Sequence, residues 1–256
     1  CSKSFMRKER IAMANRSQRP RQKKRHRKGQ RPIELERQLI TIDSPRSPIT
    51  EQYRTLRTNI EFSSVDQEYK TIIVTSSSPG EGKSTTVANL AVAFAQQNKK
   101  VLLVDTDLRK PTVHYTFNLN NVRGLTNVLT KQVILTDAVQ TTEVEHLSIL
   151  TCGPIPPNPA ELLGSASMSQ FIQQVKTQFD VVLFDTPPIL AVADAQILAN
   201  KVDGTVLVIS SGSTDQDVAR KAKDLLESAK GKFLGAVLNK KKVKDSQYYY
   251  YYGDNN

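Results

Sequence analysis

A chain of 256 residues, 38% of them hydrophobic, is long enough for one large α/β domain with extensions. Its formal net charge of +11 is unevenly spread: residues 1–35 hold thirteen Lys and Arg against two Glu, and the remainder is balanced. Two cysteines, Cys1 and Cys152, exclude a disulfide framework, and no apolar run approaches the ~18 residues that cross a bilayer. The basic start is not followed by the apolar stretch of a signal peptide, so a cytosolic protein is expected. A first residue of Cys rather than Met suggests a fragment or an upstream fusion, with Met6 or Met13 as a natural start.

Residues 14–35 are too charged and too poor in apolar side chains to fold alone. Two readings stand: adhesion to an anionic surface, or a solvated tail without a fixed partner. No aromatic residue is interleaved to stack on bases, which argues against nucleic acid. Residues 36–46 read as a linker. Ser47 then offers an N-cap with Pro48 at the first helical position, and Tyr53, Leu56 and Ile60 mark a helix over 49–62. On it Glu51, Arg54 and Arg57 recur every three residues. This row suits either a neighbouring subunit or a solvated face with weak ion pairs inside the helix.

The β-branched run Thr71–Thr75 reads as a strand, and Thr85–Gln97 as a helix. Between them lies Ser76-Ser77-Ser78-Pro79-Gly80-Glu81-Gly82-Lys83-Ser84. Strand, glycine-rich turn and helix form the context of a phosphate loop. Glycines at 80 and 82 admit a phosphate close to the backbone, and the helix start points N–H groups at the anion. Lys83 supplies a point charge for the β- and γ-phosphates, and the Ser84 hydroxyl suits Mg²⁺. Pro79, Gly80, Glu81, Gly82, Lys83, Ser84 and Thr85 are the candidate ATP-binding residues. One departure stands out: the usual first glycine, six residues before the lysine, is Ser77.

Val101–Val104 reads as a buried parallel strand that delivers Asp105 and Asp107 to its carboxyl end, where ligands bind in open α/β sheets. Residues i and i+2 of an extended segment project to one side, so this pair suits Mg²⁺ coordination or deprotonation of an attacking hydroxyl. Leu147–Leu150 is a further strand, and Asn158-Pro159-Ala160-Glu161 reads as a capping box with proline at N1. Val181–Phe184 ends on Asp185, the expected Walker B carboxylate. Strands follow at 204–210 and 233–239, with a helix over 215–230 between them. Asn239, at a strand end, suits an adenine amino group or ordinary turn chemistry. The chain closes on Tyr248, Tyr249, Tyr250, Tyr251 and Tyr252 after a lysine-rich stalk. An adhesive or edge-strand tail is one reading. A cluster of exposed phenols on an ATP-binding domain makes better sense as a phosphoryl acceptor.

Taken together, the segments P-R-S-P-I-T-E-Q-Y-R-T-L-R-T-N-I-E-F, S-S-P-G-E-G-K-S-T, L-L-V-D-T-D-L-R-K-P, P-P-N-P-A-E-L-L and V-V-L-F-D-T-P-P, with the tyrosine tail, resemble a bacterial tyrosine kinase of capsular or exopolysaccharide biosynthesis. The likeness is to the Gram-positive form, in which kinase and transmembrane activator are separate chains, and it runs from about Ser44 to the C-terminus. It implies a P-loop NTPase fold of the MinD/ParA type, with a mostly parallel sheet and helices on both faces. Residues 1–43 would be a basic arm, 44–240 the kinase domain and 241–256 a flexible tail. The resemblance makes Asp105 the base for the tyrosine hydroxyl, assigns Asp107 and Asp185 to Mg²⁺, and makes Glu51, Arg54 and Arg57 the contact of a ring-shaped homo-oligomer with phosphorylation in trans. It further implies a membrane activator that holds the kinase at the inner face of the plasma membrane, and a cognate phosphotyrosine phosphatase. A fused activator piece at residues 1–12 would bring Phe5 to the adenine. Partitioning ATPases of the MinD/ParA type are the rival reading, but their signature lysine is replaced here by Ser78.

Overall fold

The computed structural model describes residues 39–63 and 68–241; the basic arm, Phe5 and the five consecutive tyrosines lie outside the described residues. The first half of the chain forms α1 (Ile40–Asp43), α2 (Pro48–Glu61), β1 (Thr71–Ser76), α3 (Lys83–Ala95), β2 (Val101–Asp105), α4 (Val113–Thr116), α5 (Leu125–Leu129) and α6 (Leu135–Ala138). The second forms β3 (Gln140–Thr141), β4 (Leu147–Leu150), α7 (Pro159–Gly164), α8 (Ala166–Gln178), β5 (Val181–Asp185), α9 (Asp194–Ala199), β6 (Gly204–Ser210), α10 (Gln216–Glu227) and β7 (Lys232–Asn239).

The strands make one sheet in the order β3-β4-β2-β5-β1-β6-β7, parallel except where β3 meets β4. From β1 the chain moves outward to β2 and β4, returns to insert β5 between β1 and β2, then crosses to β6 and β7. Ligands of open α/β sheets collect at the carboxyl ends near such a reversal.

The continuous apolar runs follow from this architecture, because strands covered by helices on both faces have no polar side. Alternate residues feed opposite cores. Ile73, Leu102, Val104, Val182 and Phe184 pack on one face with Phe171, Ile172 and Leu226. Ile72, Val74, Val101, Leu103, Val181 and Leu183 pack on the other with Val87, Leu90 and Phe94 of α3.

Helix α3 is buried at every position from Thr86 to Ala95, because α1 and α2 cover it. The linker expected over 36–46 is therefore partly ordered. Thr41 in α1 is fully buried, and its amide and hydroxyl both donate to Asn89 Oδ1 of α3, at 3.0 and 2.9 Å. An i→i+4 turn cannot be read from polar residues whose partner lies 48 positions away. Helix α2 begins as expected, with Ser47 Oγ accepting from the Thr50 amide and Pro48 at N1. The capping box expected at Asn158 does not form. Asn158 Nδ2 instead donates to the Glu161 carboxylate at 2.6 Å, and Pro159 alone opens α7.

Candidate active site

Strand β1 feeds directly into the loop of residues 77–82. Gly80 and Gly82 have φ of 80° and 95°, a left-handed backbone that glycine adopts without strain. Gly82 is doubly constrained, since a Cβ there would lie 2.2 Å from Asn239 Nδ2. Helix α3 starts at Lys83, so its first amides have no partner within their own helix and face the position an anion would take.

The loop is braced from outside. Asn239, at the end of β7, donates through Nδ2 to the Glu81 carbonyl at 2.9 Å, and Lys240 Nζ donates to the Gly80 carbonyl at 2.6 Å. In this structure the Asn239 amide nitrogen is thus spent on the loop itself. The Glu81 side chain turns toward Ser77, Ser78 and Thr214.

Inside the loop, Lys83 Nζ reaches Asp107 Oδ2 at 3.1 Å, Asp185 Oδ1 at 3.2 Å and Ser84 Oγ at 3.2 Å. Burial pulls its pKa down, but the two carboxylates together hold it above the ordinary lysine value. The carboxylates arrive by sheet register: β2 and β5 pair Asp105 with Asp185, so both stand side by side at the carboxyl end. Asp105 is fully buried, and its pKa is pushed up to about 7 by burial and by Asp185. The opposing influence is local: Asp105 Oδ2 accepts from the amides of Thr112 and Val113 at 2.8 and 2.9 Å, and Oδ1 from that of Asp107 at 3.2 Å. Asp107 Oδ1 accepts from the Lys110 amide at 3.0 Å. Burial likewise raises Asp185, with Lys83 opposing.

Asp185 Oδ2 is buried and has no hydrogen-bond donor. Such an oxygen, with the Ser84 hydroxyl and the Asp107 carboxylate beside Lys83, matches the hard-oxygen donor set that Mg²⁺ takes. The residues present fit a divalent cation.

Of the expected interface row, Glu51 pairs with Arg54 on the same helix, and Arg57 Nη1 donates to the Ala93 carbonyl of α3 at 2.7 Å. The tyrosine cluster is outside the described residues. Sequence reasoning missed one further element. Arg109 grips Asp194 with two hydrogen bonds, Nε to Oδ2 at 2.9 Å and Nη2 to Oδ1 at 3.0 Å, and so joins the loop after β2 to the start of α9. The available signal was a lone acidic residue in the apolar stretch Ile189–Ala199.

An anion cradle fed by β1, with acidic ends on the neighbouring strands, places this chain among the phosphate-loop α/β proteins. Comparison with known proteins narrows that class. A family model described as an AAA domain matches residues 69–214. Tyrosine-protein kinase YwqD of Bacillus subtilis is 57% identical over 219 residues, 86% of this chain and 92% of the relative. Among solved structures, the chimerical protein CapA2B2 superposes with a TM-score of 0.78 at 43% identity, over 80% of this chain and 90% of that one. The kinase domain of Escherichia coli tyrosine kinase ETK gives 0.75 at 30% identity, over 81% and 83%. At this identity and coverage the chain belongs to the bacterial tyrosine-protein kinase family. Among the described residues no helix is long and apolar enough to cross a membrane.

Proposed function

We propose that this protein transfers the γ-phosphoryl group of ATP to tyrosine, and that its own cluster Tyr248–Tyr252 is the acceptor, presented in trans within a homo-oligomeric ring. The observation that carries the reading is the meeting of Lys83 with Asp107 and Asp185 beside the in-register Asp105. Phosphoryl transfer asks a protein chiefly for positioning and charge stabilisation. The amides of 80–85 and the Lys83 ammonium stabilise charge developing on the phosphates. Ser84, Asp107 and Asp185 would hold Mg²⁺, which would supply neutralisation of the negative charge on the phosphates. Asp105 takes the tyrosine hydroxyl proton at Oδ1, which accepts one long amide bond, from Asp107, where Oδ2 accepts two short ones.

The same reading includes assembly through Glu51, Arg54 and Arg57, adenine contact from Asn239, a membrane-bound activator, a phosphotyrosine phosphatase, and control of capsular or exopolysaccharide synthesis. Each phosphorylated tyrosine adds about −1.5 to −2 charge, so a fully modified tail loosens the ring by repulsion.

The test is intact mass before and after incubation with Mg·ATP, beside a Lys83→Met control. Stepwise gains of one phosphoryl group, confined to the C-terminal peptide and absent from the control, are expected. Steady phosphate release without phosphotyrosine, with the activator tail added, would replace the kinase reading by a switch ATPase.

A further inference from the structure

Glu81 carries the wrong sign for its place. It sits in a loop that receives phosphates, yet it is 4% exposed and carries a carboxylate. Buried acceptors are retained where donors satisfy them, so the donors indicate its purpose. Ser77 Oγ lies 2.8 Å from Oε1 and 2.9 Å from Oε2, the Ser78 amide donates to Oε2 at 2.8 Å, and the Thr214 hydroxyl donates to Oε1. Ser77 occupies the position where such loops ordinarily have glycine, and its hydroxyl is consumed by this carboxylate. Thr214 is itself fixed, its Oγ1 accepting from the Ser210 amide at 2.8 Å and its amide donating to the Ser210 carbonyl at 3.0 Å. The clasp therefore joins the phosphate loop to the loop between β6 and α10. The two loops wall a cavity of about 240 Å³, lined by Ser78, Pro79, Gly80, Ser213, Asp215 and Val218.

We propose that Glu81 is a positioning residue: by drawing Ser77, Ser78 and Thr214 onto one carboxylate, it holds the phosphate loop in the shape that receives ATP. The proposal rests on the reading of this loop as the ATP site. Hydrogen bonds to an ionised acceptor are the stronger class, and three converge here. A loop released from them spends part of its time in other shapes, and apparent affinity falls by the fraction that remains competent. The effect belongs to nucleotide binding, because the Glu81 carboxylate is bonded to Ser77, Ser78 and Thr214, whereas Lys83 is bonded to Asp107 and Asp185.

The experiment uses the full chain, with Mg·ATP affinity measured at equilibrium and with steady-state KM and kcat. Ser77→Gly restores the common loop glycine, and Thr214→Val removes a donor 133 residues from the carboxylate it serves. Both are expected to raise Kd and KM for ATP about tenfold, the loss of one charge-assisted hydrogen bond, and to leave kcat within about twofold. Thr214→Ser, which keeps the hydroxyl, restores wild-type KM. Unchanged ATP affinity in Ser77→Gly overturns the clasp, and that variant decides the question even if Thr214→Val does not fold. A wild-type chain that binds no ATP would instead overturn the proposed function, a separate outcome.

Discussion

The ion pair between Arg109 and Asp194 offers the sharpest stability test. Asp194 is 0% exposed while the Arg109 side chain is 42% exposed, so the pair straddles the surface with its acidic half inside. Arg109→Met removes both hydrogen bonds and leaves a buried carboxylate without its cation. Breaking a fully buried pair costs about 3–5 kcal/mol; water can reach the site once the half-exposed guanidinium has gone, which reduces the expectation to about 2–3 kcal/mol. For a domain of this size each kcal/mol moves Tm by about 2–4 °C, so a fall of about 4–12 °C is expected. Asp194→Asn should cost less, because Arg109 then returns its charge to solvent. Thermal unfolding of the wild type, both single variants and the double variant closes a cycle in which the double variant recovers part of the Arg109→Met loss. Strictly additive losses, or an Arg109→Met chain within about 1 °C of wild type, would show that the bidentate geometry carries no net stabilisation.

Three further outcomes can be measured on the same protein. Gly82→Ala forces a side chain into a φ of 95° and against Asn239 Nδ2, and should cost about 1–3 kcal/mol; adding Asn239→Ala removes the collision but not the backbone strain, so urea unfolding should show partial recovery. Asn89→Ala removes the acceptor shared by the Thr41 amide and hydroxyl and leaves a buried donor unsatisfied, a loss of about 1–3 kcal/mol readable as a lower urea midpoint. Asp203 accepts from Lys176 Nζ at 2.7 Å and from the amide and hydroxyl of Thr71 at 2.9 and 2.8 Å; burial raises its pKa, but these partners outweigh it and hold the group below its ordinary value. A depressed carboxylate stabilises the fold above its unfolded pKa of about 3.9 and loses that contribution as pH falls through the lower folded value. Asp203→Asn should therefore flatten the loss of stability below about pH 4, seen by denaturant unfolding across an acid pH series.

What the sequence revealed, it revealed through local chemistry. Thr71–Thr75, Val101–Val104 and Val181–Phe184 are buried on every residue because both faces of the sheet are covered, and the aspartates that follow the last two stand where a parallel sheet presents its ligand site. The glycines of the loop were legible because positive φ restricts what can occupy those positions. Contacts between distant segments were not legible. Nothing in Ile40–Asp43 announces Asn89, so the expected linker hid a packed turn. The bond from Arg57 to the Ala93 carbonyl was likewise hidden, because it exists only once α2 lies on α3. The Glu81 side chain was not legible either: nothing near it in the sequence points to Thr214, which its carboxylate meets 133 positions away.

The end of β7 fixes a length. Asn239 and Lys240 are fastened to the carbonyls of Glu81 and Gly80, so the segment that carries the tyrosines leaves the sheet from the rim of the phosphate loop. From Lys241, the last described residue, Tyr248 is seven residues away and Tyr252 eleven. Fully extended backbone covers at most about 3.6 Å per residue, a tether of roughly 25 Å to the first tyrosine and roughly 40 Å to the fifth. Under the proposed modification in trans, a neighbour's Lys83 must come inside that radius. In the proposed ring, a span of more than roughly 25 Å but less than roughly 40 Å would leave the first tyrosine unmodified while the fifth still arrives.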